Sequence, residues 1–251
     1  MDNAEQREIA NLAAILANMH KAYSWGGLLP TNMLILDIET LGFTPVFDKV
    51  VQIGMCVITK GEIDTRLSDT GYTSMMLKWP EECFDGKDGA INVHGIDFIK
   101  SSSEGNDPVE SFKLLADTIK WAMDSGMYIG GHNFYKFDKP FIERSAADLG
   151  VDITFNGDDI IDTGMIVKAM QLGMLPSSDE PISAYWKRVA NMRAKGVYFN
   201  LDRYCMSRFG LTEKYGVSKD EAHDAGYDCY LTHLVIKELN ILLAENMKGQ
   251  Q

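Results

Sequence analysis

Cations are the scarce charge in this chain: 24 lysines and arginines stand against 36 aspartates and glutamates, for a formal net charge of −12. A surface of that sign excludes a protein that coats long stretches of duplex by neutralising phosphates. Cysteine is sparse as well. Cys56, Cys83, Cys205 and Cys229 include no C-x-x-C pair and no close histidine spacing, so they read as small buried hydrophobes in a reducing compartment and not as a zinc site. No run of about 18 apolar residues occurs, and Asp2, Glu5 and Glu8 stand where a secretory leader would carry cations. No membrane attachment is expected. Cytoplasmic residence is, in the host cell if a virus encodes the chain.

What is present has the make-up of one globular α/β domain: 251 residues, 45% of them hydrophobic. Ile9, Leu12, Ala13, Leu16 and Met19 follow the three-and-four spacing of a helical face, so residues 1–32 are read as an N-terminal helical extension and 33–245 as the domain. Gly26, Gly27 and Pro30 break that pattern before Met33-Leu34-Ile35-Leu36, a buried strand. Residues 50–58 and 72–78 read as second and third strands of an antiparallel meander, with Lys60-Gly61 as a turn between them. After a loop, Asn106 or Asp107 can cap a helix that begins at Pro108. Residues 127–132 and 159–163 supply the remaining strands, each followed by a helix. The stretch 175–195 reads as an insertion loop with one short helix over 182–190, and the last helix as spanning 219–244.

Three segments carry chemistry. In Asp37-Ile38-Glu39 the two acids lie two apart on an extended segment, so both carboxylates can face one pocket as the strand ends. The segment from Gly131 to Ile142 places Asp138 at a strand-to-helix turn, where an acid serves equally well as a cap. Glu221-Ala222-His223-Asp224-Ala225-Gly226-Tyr227-Asp228 puts an acid inside an apolar helix, which is costly unless the acid meets a cation or donors, and a histidine five positions before it.

In order and separation these segments resemble the DEDDh exonucleases, the family of the proofreading subunit of bacterial DNA polymerase III and of several RNases. Asp37-Ile38-Glu39-Thr40 matches the first motif, Asn133 through Asp138 the second, and His223 to Asp228 the third. Val93-His94-Gly95-Ile96, Asp162-Thr163 and Leu201-Asp202-Arg203-Tyr204-Cys205 are weaker echoes. The resemblance covers roughly residues 33–242. Residues 1–32 and 175–196 have no counterpart, and the Asn133–Asp138 spacing is at the long end for its motif.

The resemblance implies a ribonuclease H-like α/β fold, a central mixed sheet of five strands flanked by helices, the second strand antiparallel to the rest. It implies that Asp37, Glu39, Asp138 and Asp228 hold two divalent metal ions, Mg²⁺ or Mn²⁺, and that His223 acts as general base. Thr40, Leu41, His94 and Asn133 would contact the substrate, Leu41 as an apolar wedge under the terminal base; for His94 a turn histidine is an equal reading. The implied activity is 3′→5′ removal of nucleoside 5′-monophosphates from single-stranded DNA or RNA. RNA trimming, or nucleic-acid binding without cleavage, are the alternatives. The residues identify neither a homodimer contact nor a replication or repair partner. Phe134, Tyr135 and Phe137 read either as base-stacking groups or as core, and Lys136, Lys139 and Arg144 as a positive rim or a solvated helix face.

Overall fold

A computed structural model describes residues 3–23, 28–66, 68–177 and 179–248. Gly26 and Gly27, read above as the break after the first helix, lie outside them. Helix α1 (Asn3–Tyr23) follows the expected spacing, with Ile9, Leu12, Leu16 and Met19 buried.

The sheet begins with β1 (Met33–Thr40) and β2 (Val50–Thr59), paired antiparallel over their whole length. Lys60 and Gly61, both at positive φ (55° and 83°), then reverse the chain tightly, as a two-residue hairpin requires. The turn leads into β3 (Glu62–Ile63), a two-residue strand, and only then into β4 (Tyr72–Met76). The expected five strands are therefore six. A pair of residues has no alternation to read, so β3 left no mark in the sequence. Strands β3 and β4 share the edge of β2 that β1 leaves free.

Short helices α2 (Asp88–His94) and α3 (Phe98–Glu104) occupy the segment read as a loop, followed by α4 (Pro108–Asp124), whose N-terminal amides are capped by Asp107. Strand β5 (Tyr128–Gly131) runs parallel to β1; α5 (Asp138–Asp148) and β6 (Ile160–Asp162), parallel to β5, come next. The strand order is β3-β2-β1-β5-β6, with β2 antiparallel to its neighbours. Helices α6 (Thr163–Leu172), α7 (Ile182–Asn191), α8 (Met206–Phe209), α9 (Leu211–Tyr215) and α10 (Ala225–Lys248) complete the chain, with a π-helical turn at Leu201–Cys205 before α8.

Alternation along β1 divides the core between the two faces of the sheet. Met33 and Ile35 join Leu12, Leu16, Met165, Trp186 and Leu234 under α1, α6, α7 and α10. Leu34, Leu36 and Ile38 join Phe112, Leu115, Phe141 and Ile142 under α4 and α5. Among the described residues no helix is long and apolar enough to cross a membrane. Because α1 fills the same cluster as β1 and α10, Leu12→Ala is expected to destabilise the whole fold by about 2–5 kcal/mol. Denaturant unfolding checks this: the midpoint falls with the slope unchanged, in a single transition.

Candidate active site

Asp37 and Glu39 stand near the carboxyl end of the central strand, opposite Gly54 and Gln52 of β2. Gly54 decides what reaches them. A side chain there would overlap the Ala225 carbonyl, and one at Gly226 would meet Ser74 and the Thr73 carbonyl. Bare backbone on both sides thus lets the start of α10 lie directly on β2 and β4, which carries Asp228, within the helix's first turn, towards Asp37 and Glu39.

Hydrogen bonds fasten that contact. Gln52 accepts from the Ala225 amide at 3.0 Å and donates to Asp224 Oδ2 at 2.7 Å. Asp224 Oδ1 accepts from Ser74 Oγ at 2.6 Å and from the Tyr227 amide at 3.0 Å, so Asp224 caps the helix. His223, just before it, has φ 69°. The left-handed residue and the cap explain why the last helix begins at Ala225 and not near 219. The His223 amide in turn points at the Asp228 carboxylate, 3.4 Å from each oxygen.

The second motif is held from β6. Asp162 accepts from the amides of Asn133 (2.9 Å) and Met165 (3.0 Å) on Oδ1, and from Tyr135 (2.9 Å) on Oδ2. Asn133 has φ 63°. His132 packs beside this turn, with Nδ1 2.9 Å from Thr163 Oγ1 and Nε2 against the Phe199 carbonyl. Asp138 opens α5, yet its Oδ1 accepts from the amide of Ile38, between the two acids of β1, at 3.1 Å. It is tied to the strand as well as to its helix.

The electrostatics follow from this convergence. Burial pushes Asp37 well above the ordinary carboxylate range, and the charge of Asp138, then of Asp228 and Glu39, pushes it further. Burial is also the main cause at Glu39, followed by the charges of Asp228 and Asp138. Asp138 rises for the same first reason, restrained by the amide of Ile38. Burial raises Asp228 to about 7 despite the His223 amide. Among the described residues no lysine or arginine pairs with any of the four. Donor atoms of Glu39, His223 and Asp228 lie within 4.8 Å of one another; Asp37 and Asp138 stand outside that close set but within strong charge interaction of it. Unpaired hard oxygens suit divalent cations such as Mg²⁺ or Mn²⁺, and the residues fit that expectation.

Among the expected substrate contacts, Thr40 is buried and its hydroxyl donates to the Gly42 carbonyl at 2.6 Å. Leu41 is 1% exposed, packed with Val51, Met76, Phe84 and Ile96. Its expected place under a base is thus not what the fold gives it: the turn after β1 folds Leu41 inward. Phe43, two residues on, is 89% exposed, with its ring 6.4 Å from that of Phe137, next to Asp138. An aromatic residue straight after Gly42 was the signal available for it. His94 ends α2; its Nδ1 accepts from the Ile96 amide at 3.1 Å, its Nε2 is buried without a partner, and burial lowers its pKa. It shares a cavity of about 300 Å³ with Gln52, Lys100, His223 and Asp224. Asn133 has its side-chain oxygen buried without a partner. Phe134 is core, against Phe155, while Lys139 and Arg144 are spent on Glu143 and Asp148.

No family model and no curated protein matches the chain. Among solved structures, exonuclease I of E. coli in its zinc-bound complex with single-stranded DNA aligns with a TM-score of 0.58 at 18% identity, over 84% of this chain and 40% of that one. The same enzyme with a dT13 oligonucleotide gives 0.59 at 17% identity, over 88% and 43%. A product-bound exonuclease I gives 0.55 at 16%, over 87% and 46%. The chain thus spans less than half the length of these proteins. What is shared is the architecture, and the mixed sheet flanked by helices is a ribonuclease H-like fold.

Proposed function

We propose that this chain is a metal-dependent 3′→5′ exonuclease that releases nucleoside 5′-monophosphates from single-stranded ends. One observation carries the reading: Asp37, Glu39, Asp138 and Asp228, from three separate segments, converge with His223 where no lysine or arginine among the described residues pairs with them. The fold's likeness to exonuclease I, solved with single-stranded oligodeoxynucleotides, supports DNA as the substrate tried first. The free cysteines Cys56, Cys83, Cys205 and Cys229 support a reducing, cytoplasmic setting.

The four acids would hold two divalent ions, Mg²⁺ or Mn²⁺, which when bound supply the positive charge that acidifies a water and offsets charge on the scissile phosphate. The chain's own residues do the rest. Asp138 is aimed by the Ile38 amide and Asp228 by that of His223. His223, part exposed at the rim, accepts the proton of the attacking water, a task that suits an imidazole near neutral pH. Phe43 presents an exposed ring to the terminal base, His94 lines the cavity that His223 shares, and Asn133, in the turn before Asp138, has a buried side-chain oxygen free to accept a hydrogen bond. Thr40 contributes through the turn it closes.

Matched 3′-labelled DNA and RNA oligonucleotides digested with Mg²⁺, Mn²⁺ or EDTA test the reading. Mononucleotide release that EDTA abolishes is expected, faster on DNA; faster release from RNA would reassign the sugar, and retardation without shortening would make the chain a binder. His223→Ala and Asp228→Asn are each expected to lose about 10²-fold or more in turnover with the fold retained. Phe43→Ala should weaken oligonucleotide binding by about 1–3 kcal/mol, read as a raised KM with kcat nearly kept.

Metal need also has a thermodynamic signature. Asp228 titrates near 7 in the fold against 3.8 for the free side chain, so its protonation stabilises the metal-free protein fully below the lower value and ceases to as pH rises through the higher. Melting in EDTA is expected to fall between about pH 4 and about pH 7, and Mg²⁺ or Mn²⁺ to raise it more at the upper end. Equal responses to the cation at both ends would count against the four acids as its ligands.

A further inference from the structure

The imidazole of His223 receives no hydrogen bond from a described residue, and its ring is fixed only through a strained backbone. One carboxylate outside the four acids faces it: Asp202 Oδ2 lies 3.9 Å from His223 Nε2. Asp202 sits in the π-helical turn Leu201–Cys205, whose Asn200 carbonyl accepts from the amides of both Tyr204 and Cys205. Such turns often mark functional positions. Among the described residues its one ion-pair partner besides His223 is Arg203, at 3.3 Å, whose side chain is 84% exposed and therefore well screened. The charge of Asp202 also reaches Asp228 and His132, which places it on the same side of the pocket.

We propose that Asp202 is a positioning residue for His223, holding the imidazole towards the attacking water and offsetting the charge it acquires. In the step concerned, the imidazole takes a proton from water while the water oxygen bonds to phosphorus. The bond from phosphorus to the 3′ oxygen breaks, and its electron pair leaves on that oxygen, which is protonated from solvent. The imidazole ends as a cation, and Asp202 is the nearest anion not committed to a metal. The assignment rests on the exonuclease reading above.

Asp202→Asn keeps size and hydrogen-bonding shape while removing the charge. Its kcat on a labelled oligonucleotide is expected to fall at least about tenfold, a fraction of what a general base contributes. KM should stay within about twofold, and the Mg²⁺ concentration for half-maximal rate should be unchanged. In a His223→Ala background the same substitution should cost nothing further, because the two act as one unit. Asp202→Glu, which restores the charge, should recover part of the rate if Asp202→Asn proves poorly folded. Wild-type kcat in Asp202→Asn, multiplicative losses in the double variant, or a shifted Mg²⁺ requirement would each overturn the assignment, the last by making Asp202 a metal ligand. Failure of the wild-type protein to release nucleotides would instead overturn the exonuclease reading.

Discussion

Four carboxylates gathered in one buried pocket cannot all be ionised unless something positive joins them, and among the described residues no side chain does so. Desolvation and mutual repulsion both favour protonation, which is why Asp37, Glu39, Asp138 and Asp228 are all raised. An isolated protein gains nothing from such a cluster. The surrounding structure has to hold it together against repulsion, and the devices that do so lie at the ends of the most deeply buried elements. Strand β1, enclosed on both faces, gives Asp37 and Glu39 a base that repulsion does not shift.

The other two acids are delivered by similar means. Asn133 and His223, two of the three non-glycine residues at positive φ among the described residues, each stand five positions before an acid, Asp138 and Asp228. In each case a separate carboxylate fixes the reversal. Asp162 gathers the amides of Asn133, Tyr135 and Met165, and Asp224 ties the start of α10 to Gln52 and Ser74. Backbone strain held in place by a buried anchor is what a site needs if its groups are to remain aimed before any ligand arrives. Asp162 itself is carried up to about 6 by burial, although several backbone amides pull it down.

The parts of this design with a local pattern were legible in the sequence. Apolar runs bordered by glycine, proline or a turn marked β1 and β2, three-and-four spacing marked α1, a capping residue before Pro108 marked α4, and the carboxylates that meet in space were visible as acids set against apolar neighbours where an acid is otherwise expensive. Features without such a pattern were not. Strand β3 is two residues long, and α2 and α3 are seven each, with few buried side chains. The break at His223 depends on a backbone angle that the helical run on either side of it conceals. Leu41 was expected to face outward for a related reason: hydrophobicity does not tell which of two apolar residues in a turn, here Leu41 and Phe43, faces inward. That is decided by Val51, Met76, Phe84 and Ile96, which come together only in the fold.

A net charge of −12 looks adverse for the proposed exonuclease, whose substrate would be a polyanion. The arrangement of the site resolves the conflict. On that reading two divalent ions would offset the charge of the four acids, so the loaded pocket would be close to neutral and the repulsion would fall where the phosphate sits. Grip then falls to contacts indifferent to charge, chiefly an exposed ring such as Phe43, which can hold any unpaired base by its face. A paired base is stacked on both sides and offers no such face. On the proposed function, an acidic surface with a few aromatic contacts would disfavour duplex twice over, once by charge and once by geometry, and would leave a frayed or single-stranded end as the form of nucleic acid able to reach the acids.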